Sequence, residues 1–195
     1  FAVCRQLKAD PDLSSIPIIF LAAGANVEDR VAGMMLGADE FLAKPVDLRE
    51  LVLRIANLLK RCPPAGRSPA RANRPAGQPK ILIADDDADV TGLIDAQMRA
   101  AGYATFLAFD GEQALAAAEA HEPDVLVLAL LLPRVTGYEI LAQLQTVAVK
   151  PRIVVLSALS QEGDVARAFE LGADDYMTKP FSPQELMARV TRLLR

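Results

Sequence analysis

Aromatic side chains make up only 5% of this 195-residue chain, against 52% hydrophobic residues overall, so its cores read as Leu, Val, Ile and Ala and not as an aromatic binding surface. Long apolar runs are also missing: none approaches the roughly 20 residues a helix needs to span a bilayer, and no signal peptide opens the chain. Cysteine is scarce. Cys4 and Cys62 stand far apart, fit no metal-ligand spacing, and read as small apolar residues or free thiols, with a reducing cytoplasm as the expected setting. Positive charge is in deficit, with 21 basic against 25 acidic residues and a formal net charge of −4, which argues against a general nucleic-acid binder. The single histidine, His121, precedes Glu122-Pro123 and reads as a surface helix terminus, not a catalytic base. An initial methionine is lacking too, and the chain is expected to be a piece of something longer.

What is present is an internal repeat. GADEFLAKPVDLRELVLRI (Gly37 to Ile55) returns as GADDYMTKPFSPQELMARV (Gly172 to Val190), an offset of 135 residues, and IPIIFLAA (Ile16 to Ala23) lies over PRIVVLSA (Pro151 to Ala158) without a gap. Three parts are expected: residues 1–61 as the second half of a domain, residues 62–79 as a linker, and residues 80–195 as a complete copy. The linker, CPPAGRSPARANRPAGQP, has almost nothing to bury, and its prolines favour an extended spacer. Its Arg67, Arg71 and Arg74 are a thin footprint for nucleic acid, and a solvated spacer is the preferred reading. Residues 80–195 hold 17 acidic against 10 basic residues and so most of the polarity.

The complete copy alternates between two periods. KILIAD (80–85), YATFLAF (103–109), DVLVLAL (124–130), RIVVLS (152–157) and DYMTK (175–179) read as strands. Helices are expected over 89–102, ending at Gly102, over 111–121, from Thr136, over 162–172, ending at Gly172, and from Ser182. Thr136 and Glu139 stand at capping-box spacing, and Ser182, Pro183 and Glu185 supply N-cap, N1 and N3. Five strands alternating with five helices give an α/β, doubly wound parallel sheet. The flavodoxin-like order 2-1-3-4-5 is the expected one, with a site at the carboxyl ends of its first and third strands.

The first strand runs into Asp85-Asp86-Asp87, where adjacent carboxylates repel unless a cation is near. A divalent ion such as Mg²⁺ would answer this, and so would a solvated turn in which Asp87 caps the next helix. Ser157 ends the fourth strand and Lys179 the fifth; Lys179 is directed toward the acids or lies as a surface lysine over apolar neighbours.

Together ILIADDD, PDVLVL-x-LLLP-x-x-x-GYE, VVLSA and GADDYMTKPF resemble the receiver domain of two-component response regulators over residues 80–195. FAVCRQLKADP, IPIIFLAAG and GADEFLAKP resemble only the second, C-terminal half of another receiver over residues 1–61. The resemblance implies that Asp85 and Asp86 are the metal acids, Ser157 the hydroxyl that reads a phosphoryl group, Lys179 its lysine partner and Tyr176 the aromatic switch. It also implies an acceptor aspartate where this chain has Ala129, and Thr136 stands where many receivers have another acid. A methyl group cannot attack phosphorus or ligate a metal, so no catalytic residue and no enzymatic activity are expected, with Mg²⁺ binding weakened or lost. Lys179 is then expected to pair with Asp85 or Asp86. In the first copy, Ala22 stands where receivers usually carry Thr or Ser.

The resemblance implies a tandem-receiver signalling protein whose second receiver is a phosphorylation-independent adaptor for protein–protein interaction or dimerisation. The alternative is a phosphotransfer-competent receiver that uses Asp85 or Asp86 as acceptor. The implied partners are proteins: a histidine kinase, a fused output domain such as a diguanylate cyclase following Arg195, and a second copy meeting the face of the fourth helix, fifth strand and fifth helix, where Arg167, Tyr176 and Arg189 lie. Membrane contact is not expected. Direct nucleic-acid binding is not expected either, since a helix-turn-helix module is not apparent.

Overall fold

A computed structural model of the chain describes residues 1–24, 26–61 and 77–194. Most of the expected linker, with Cys62, Arg67, Arg71 and Arg74, lies outside the described residues. Two compact units result, Phe1–Arg67 and Ser68–Arg195.

In the second unit a strand and a helix alternate five times. They are β3 (Lys80–Ala84), α4 (Ala88–Ala100), β4 (Ala104–Ala108), α5 (Gly111–His121), β5 (Val125–Leu128), α6 (Gly137–Gln143), β6 (Arg152–Ser157), α7 (Glu162–Glu170), β7 (Asp175–Thr178) and α8 (Pro183–Leu193). The sheet is parallel in the order β4-β3-β5-β6-β7, which is the 2-1-3-4-5 order of a flavodoxin-like α/β fold. Its central strands are apolar between their ends because helices cover both faces. Ile81, Ile83, Val125, Val127, Val154 and Leu156 form one cluster with Ile94 and Met98 of α4 and with Leu186 and Val190 of α8.

Local signals place most boundaries. Asp87 caps α4 by accepting from the amides of Asp89 and Val90, Thr136 and Glu139 form a capping box, and Ser182 caps α8 with Pro183 in its first turn. The expected third strand is shorter than its apolar run: β5 stops at Leu128, while Ala129 and Leu130 continue as buried irregular chain. The reason is that the chain turns there. The Gly137 amide donates to the Leu130 carbonyl at 3.0 Å, drawing the loop back onto the strand end.

The first unit contains α1 (Ala2–Ala9), β1 (Ile19–Ala23), α2 (Val27–Met35), β2 (Glu40–Lys44) and α3 (Leu48–Arg61). Each lies 135 residues before α6, β6, α7, β7 and α8, to within two residues at the starts of the strands and helices. The internal bonds repeat at the same offset. The Asp39 carboxylate accepts from the Ile18 amide at 2.8 Å, and the Asp174 carboxylate from the Ile153 amide at 2.7 Å. Arg54 bridges Glu40 at 2.9 Å and Glu50 at 2.7 Å; Arg189 bridges Asp175 at 2.7 Å and Glu185 at 2.8 Å. Gly37 and Gly172 both adopt the left-handed conformation, at φ 97° and 90°, which an L side chain seldom takes.

That network corrects one expectation. Arg189 and Tyr176 are buried and internally bonded, so neither can be offered to a partner, whereas Arg167 is exposed. The guanidinium stays inside because it neutralises two buried carboxylates, Asp175 on the edge strand β7 and Glu185 in the first turn of α8.

Candidate functional site

Parallel strands end together, so the side chains just past β3, β5, β6 and β7 gather at one edge of the sheet. Asp85 follows β3 and is buried. Its Oδ1 accepts from the Asp87 amide at 3.1 Å, and its Oδ2 meets Lys179 Nζ at 2.5 Å. Asp86 and Asp87 are exposed. Lys179 leaves β7 at its end, anchored by its amide donating to the Ser157 carbonyl at 2.8 Å. Ala129 sits beside the acids, its amide donating to the Ala84 carbonyl at 2.8 Å, and presents a methyl group at this edge. Lys179 therefore pairs with Asp85 and not with Asp86.

Loss of one partner from this pair leaves the other exposed to its desolvation cost. Lys179→Met should destabilise the second unit by about 2–3 kcal/mol, the low end for a broken buried pair because the lysine is a quarter exposed. Asp85→Asn in the same chain should recover most of that loss, as read from urea unfolding midpoints.

Ser157 is buried at the end of β6, and its Oγ accepts from the Leu159 amide at 3.2 Å. Tyr176 points inward, its hydroxyl donating to the Leu159 carbonyl at 2.7 Å. Burial raises its pKa, Ser157 opposes that through a hydrogen bond, and the charge of Asp164 adds to it. Both residues thus fasten the segment after β6.

A second fastening was not apparent from the sequence. Tyr138, in the first turn of α6, donates its hydroxyl to Asp164 of α7 at 3.1 Å, and the Arg167 guanidinium lies 4.4 Å from the centre of its ring. Burial, followed by the bond to Asp164 and its charge, pushes the Tyr138 pKa up to about 12. A neutral phenol is therefore favoured in the fold. Because the folded value lies above the unfolded one, this contribution is complete below pH 10 and disappears as pH rises through about 12. Tyr138→Phe should remove an ionisation step near pH 12 from the absorbance titration at about 295 nm.

The loop after β5 is held from the side as well. Arg134, at φ 69°, bridges Asp110 at 3.3 Å and Glu112 at 2.9 Å. The Gly111 amide donates to the Pro133 carbonyl at 3.0 Å. A side chain at Gly111 would fall on the Val135 carbonyl, and one at Gly137 on that of Ala129. His121 closes the other end of α5, stacked on Phe106 at 3.8 Å between ring centres, far from the acids in the fold.

Mg²⁺ requires a near-octahedral set of oxygen ligands. One Asp85 oxygen is occupied by an ammonium group, Asp86 faces solvent, and Ala129 contributes no oxygen. Among the described residues there is no group of three or more His, Cys, Asp or Glu placed to hold a metal. The residues present do not fit the ion.

In the first unit Lys44, the last residue of β2, stands at the position of Lys179, which follows β7, but Ala22 and Phe41 occupy the positions of Ser157 and Tyr176. The hydroxyl groups of Ser157 and Tyr176 thus have hydrocarbon at their counterparts in the first unit.

These features define an α/β domain with an acid–lysine pair at the carboxyl ends of its parallel strands. Residues 1–56 and 81–191 match the response regulator receiver domain, and the chain belongs to that family. It is 44% identical over 116 residues to the alkaline phosphatase synthesis transcriptional regulatory protein PhoP of Bacillus subtilis, covering 60% of this chain and 48% of PhoP. It is 41% identical over 120 residues to the DNA-binding dual master transcriptional regulator RpaA of a Synechocystis strain, covering 60% of this chain and 49% of RpaA. The chain thus spans about half the length of these relatives. The Francisella response regulator 1452 receiver domain superposes with a TM-score of 0.58 at 35% identity, covering 60% of this chain and 97% of that one.

These relatives overturn the expectation that nucleic acid plays no part. That expectation rested on a net charge of −4 and on the lack of an apparent helix-turn-helix, yet one relative that the chain matches is named as DNA-binding and another as a transcriptional regulatory protein. Whole-chain charge governs non-specific attraction to phosphate and is silent on what a separate module of the same protein binds. As for membranes, no helix among the described residues is long and apolar enough to cross one.

Proposed function

We propose that this chain is the receiver portion of a signalling response regulator with two receivers in tandem, the second of which works without phosphorylation as an adaptor. The observation that carries this is Ala129, standing at the strand end between a lysine and two acids that are otherwise in place. Receiver domains generally bind Mg²⁺ at their phosphorylation site; here the Lys179 ammonium takes the position beside Asp85 and neutralises it internally. Ser157 and Tyr176 keep their bonds to the segment after β6 without any phosphoryl group to hold them. The second unit is then fixed in one state, and its work is to dock proteins or a second copy. The names of its relatives, PhoP and RpaA, support control of transcription as the output that this receiver portion serves.

The reading that Asp85 or Asp86 accepts the phosphoryl group instead is disfavoured for Asp85, whose carboxylate is buried and bonded on both oxygens. To test the adaptor reading, the chain is incubated with labelled acetyl phosphate and Mg²⁺. No phosphoprotein is expected, and label mapped to Asp86 would overturn it.

A further inference from the structure

Helix α7 starts without a cap of its own. Its N-cap residue, Gln161, makes no side-chain bond to the first turn, and Gly163 sits in that turn with open space where a side chain would stand. Gln161, Glu162 and Gly163 are all exposed, and the buried residues that seat the helix, from Val165 to Phe169, begin only after them. A glycine in a helix costs backbone entropy, and packing returns nothing for it here. Yet the turn is closed, with the amides of Asp164 and Val165 donating to the Gln161 carbonyl at 3.0 and 3.2 Å.

The first unit closes the corresponding turn in the ordinary way. At the offset of 135 residues, Gln161 corresponds to Asn26, Asp164 to Asp29, Tyr138 to Val3 and Arg167 to Ala32. Asn26 caps α2, its side chain accepting from the Asp29 amide at 2.7 Å. Val3 and Ala32 carry neither a hydroxyl nor a charge. The second unit has the reverse arrangement. It lacks the cap, and the Tyr138 hydroxyl instead donates to the Asp164 carboxylate at 3.1 Å, with the Arg167 guanidinium 4.4 Å from the centre of the ring.

We propose that Tyr138 is a latch that orders the first turn of α7 in place of the missing cap, so that this turn takes its state from α6. Helix α6 begins at Gly137, whose amide is bonded to the Leu130 carbonyl, and the latch thereby ties α7 to the loop after β5. The route bypasses Ser157 and Tyr176, which hold Leu159 instead. Each member has its own share. The hydroxyl fixes Asp164, and the guanidinium, one turn further along α7, keeps the ring in place over the helix. The raised pKa of Tyr138 keeps the phenol protonated, as a donor must be, throughout the neutral range. Neither Ala129 nor Lys179 takes part, so the latch holds whether or not the second unit is an adaptor.

The test follows amide exchange in the full chain by NMR. Tyr138→Phe is expected to speed exchange of the Asp164 and Val165 amides about tenfold while β6 and α8 stay unchanged. Adding Gln161→Asn supplies the cap that Asn26 gives α2, and is expected to return both amides to within about twofold of the parent. Tyr176→Phe removes the other hydroxyl and is expected to leave them within about twofold as well. Unchanged exchange at Asp164 and Val165 in Tyr138→Phe overturns the proposal. Acceleration spread evenly over the second unit also overturns it, because that is a loss of global stability. So does a Gln161→Asn change that restores nothing, since the order lost would not then be that of a cap. Equal opening of the two amides by Tyr176→Phe overturns it as well, in favour of a single fastening shared with Ser157.

Discussion

Ala129→Asp is expected to take up a single phosphoryl equivalent from acetyl phosphate and Mg²⁺ under conditions in which the parent is expected to take up none. The substitution adds the missing carboxylate between Asp85, Asp86, Ser157 and Lys179, whose backbones are already fixed by the sheet. It also carries a cost. A third acid at a partly buried edge raises repulsion, so the variant without metal should unfold about 1–3 kcal/mol more easily than the parent. Mg²⁺ binds the folded variant and not its unfolded chain, so it should return about 1–2 kcal/mol once present at roughly tenfold above its dissociation constant. The parent's unfolding midpoint should hardly respond to the same addition. Phosphate uptake by mass spectrometry and thermal melts with and without chelator read both effects. Failure of the variant to label, in a chain that still melts cooperatively, would mean that the site has drifted in more than one residue.

The second large effect concerns stability. Arg189→Met should cost about 3–5 kcal/mol, since it strands Asp175 and Glu185, both removed from water, with one cation fewer. Arg192 still reaches Asp175 at 2.7 Å, which keeps the loss from growing further. Substituting Glu185→Gln in the same chain should recover part of the loss, and non-additivity between the two changes would measure their coupling. Urea denaturation followed by circular dichroism gives the free energies. A loss below 1 kcal/mol would show that the acids find other partners.

Much of this was legible in the sequence where the physics is local. The caps at Asp87, Thr136 and Ser182, the alternation of strand and helix and the strand order all follow from neighbours a few residues apart or from the handedness of crossovers. The acid–lysine pair spans 94 residues and was reachable only because the repeat and the family resemblance placed both groups at one sheet edge. Tyr138 and Asp164 were missed because nothing over a separation of 26 residues marks them as a pair. Arg189 was misread for a different reason. A Glu and an Arg four residues apart look like an exposed helix pair, and only its recurrence as Glu50 and Arg54 hints that the position is constrained. The exclusion of nucleic acid failed because composition averages over a chain, whereas partners are chosen by modules.

The tight seating of the loop after β5 has a consequence for ancestry. Gly111 and Gly137 leave no room for the loop to be rebuilt, and Ala129 is enclosed by backbone that two glycine amides tie down. An alanine codon ending in a pyrimidine becomes an aspartate codon by one base change. Where the gene spells Ala129 with such a codon, one base change would place a carboxylate just past the end of β5.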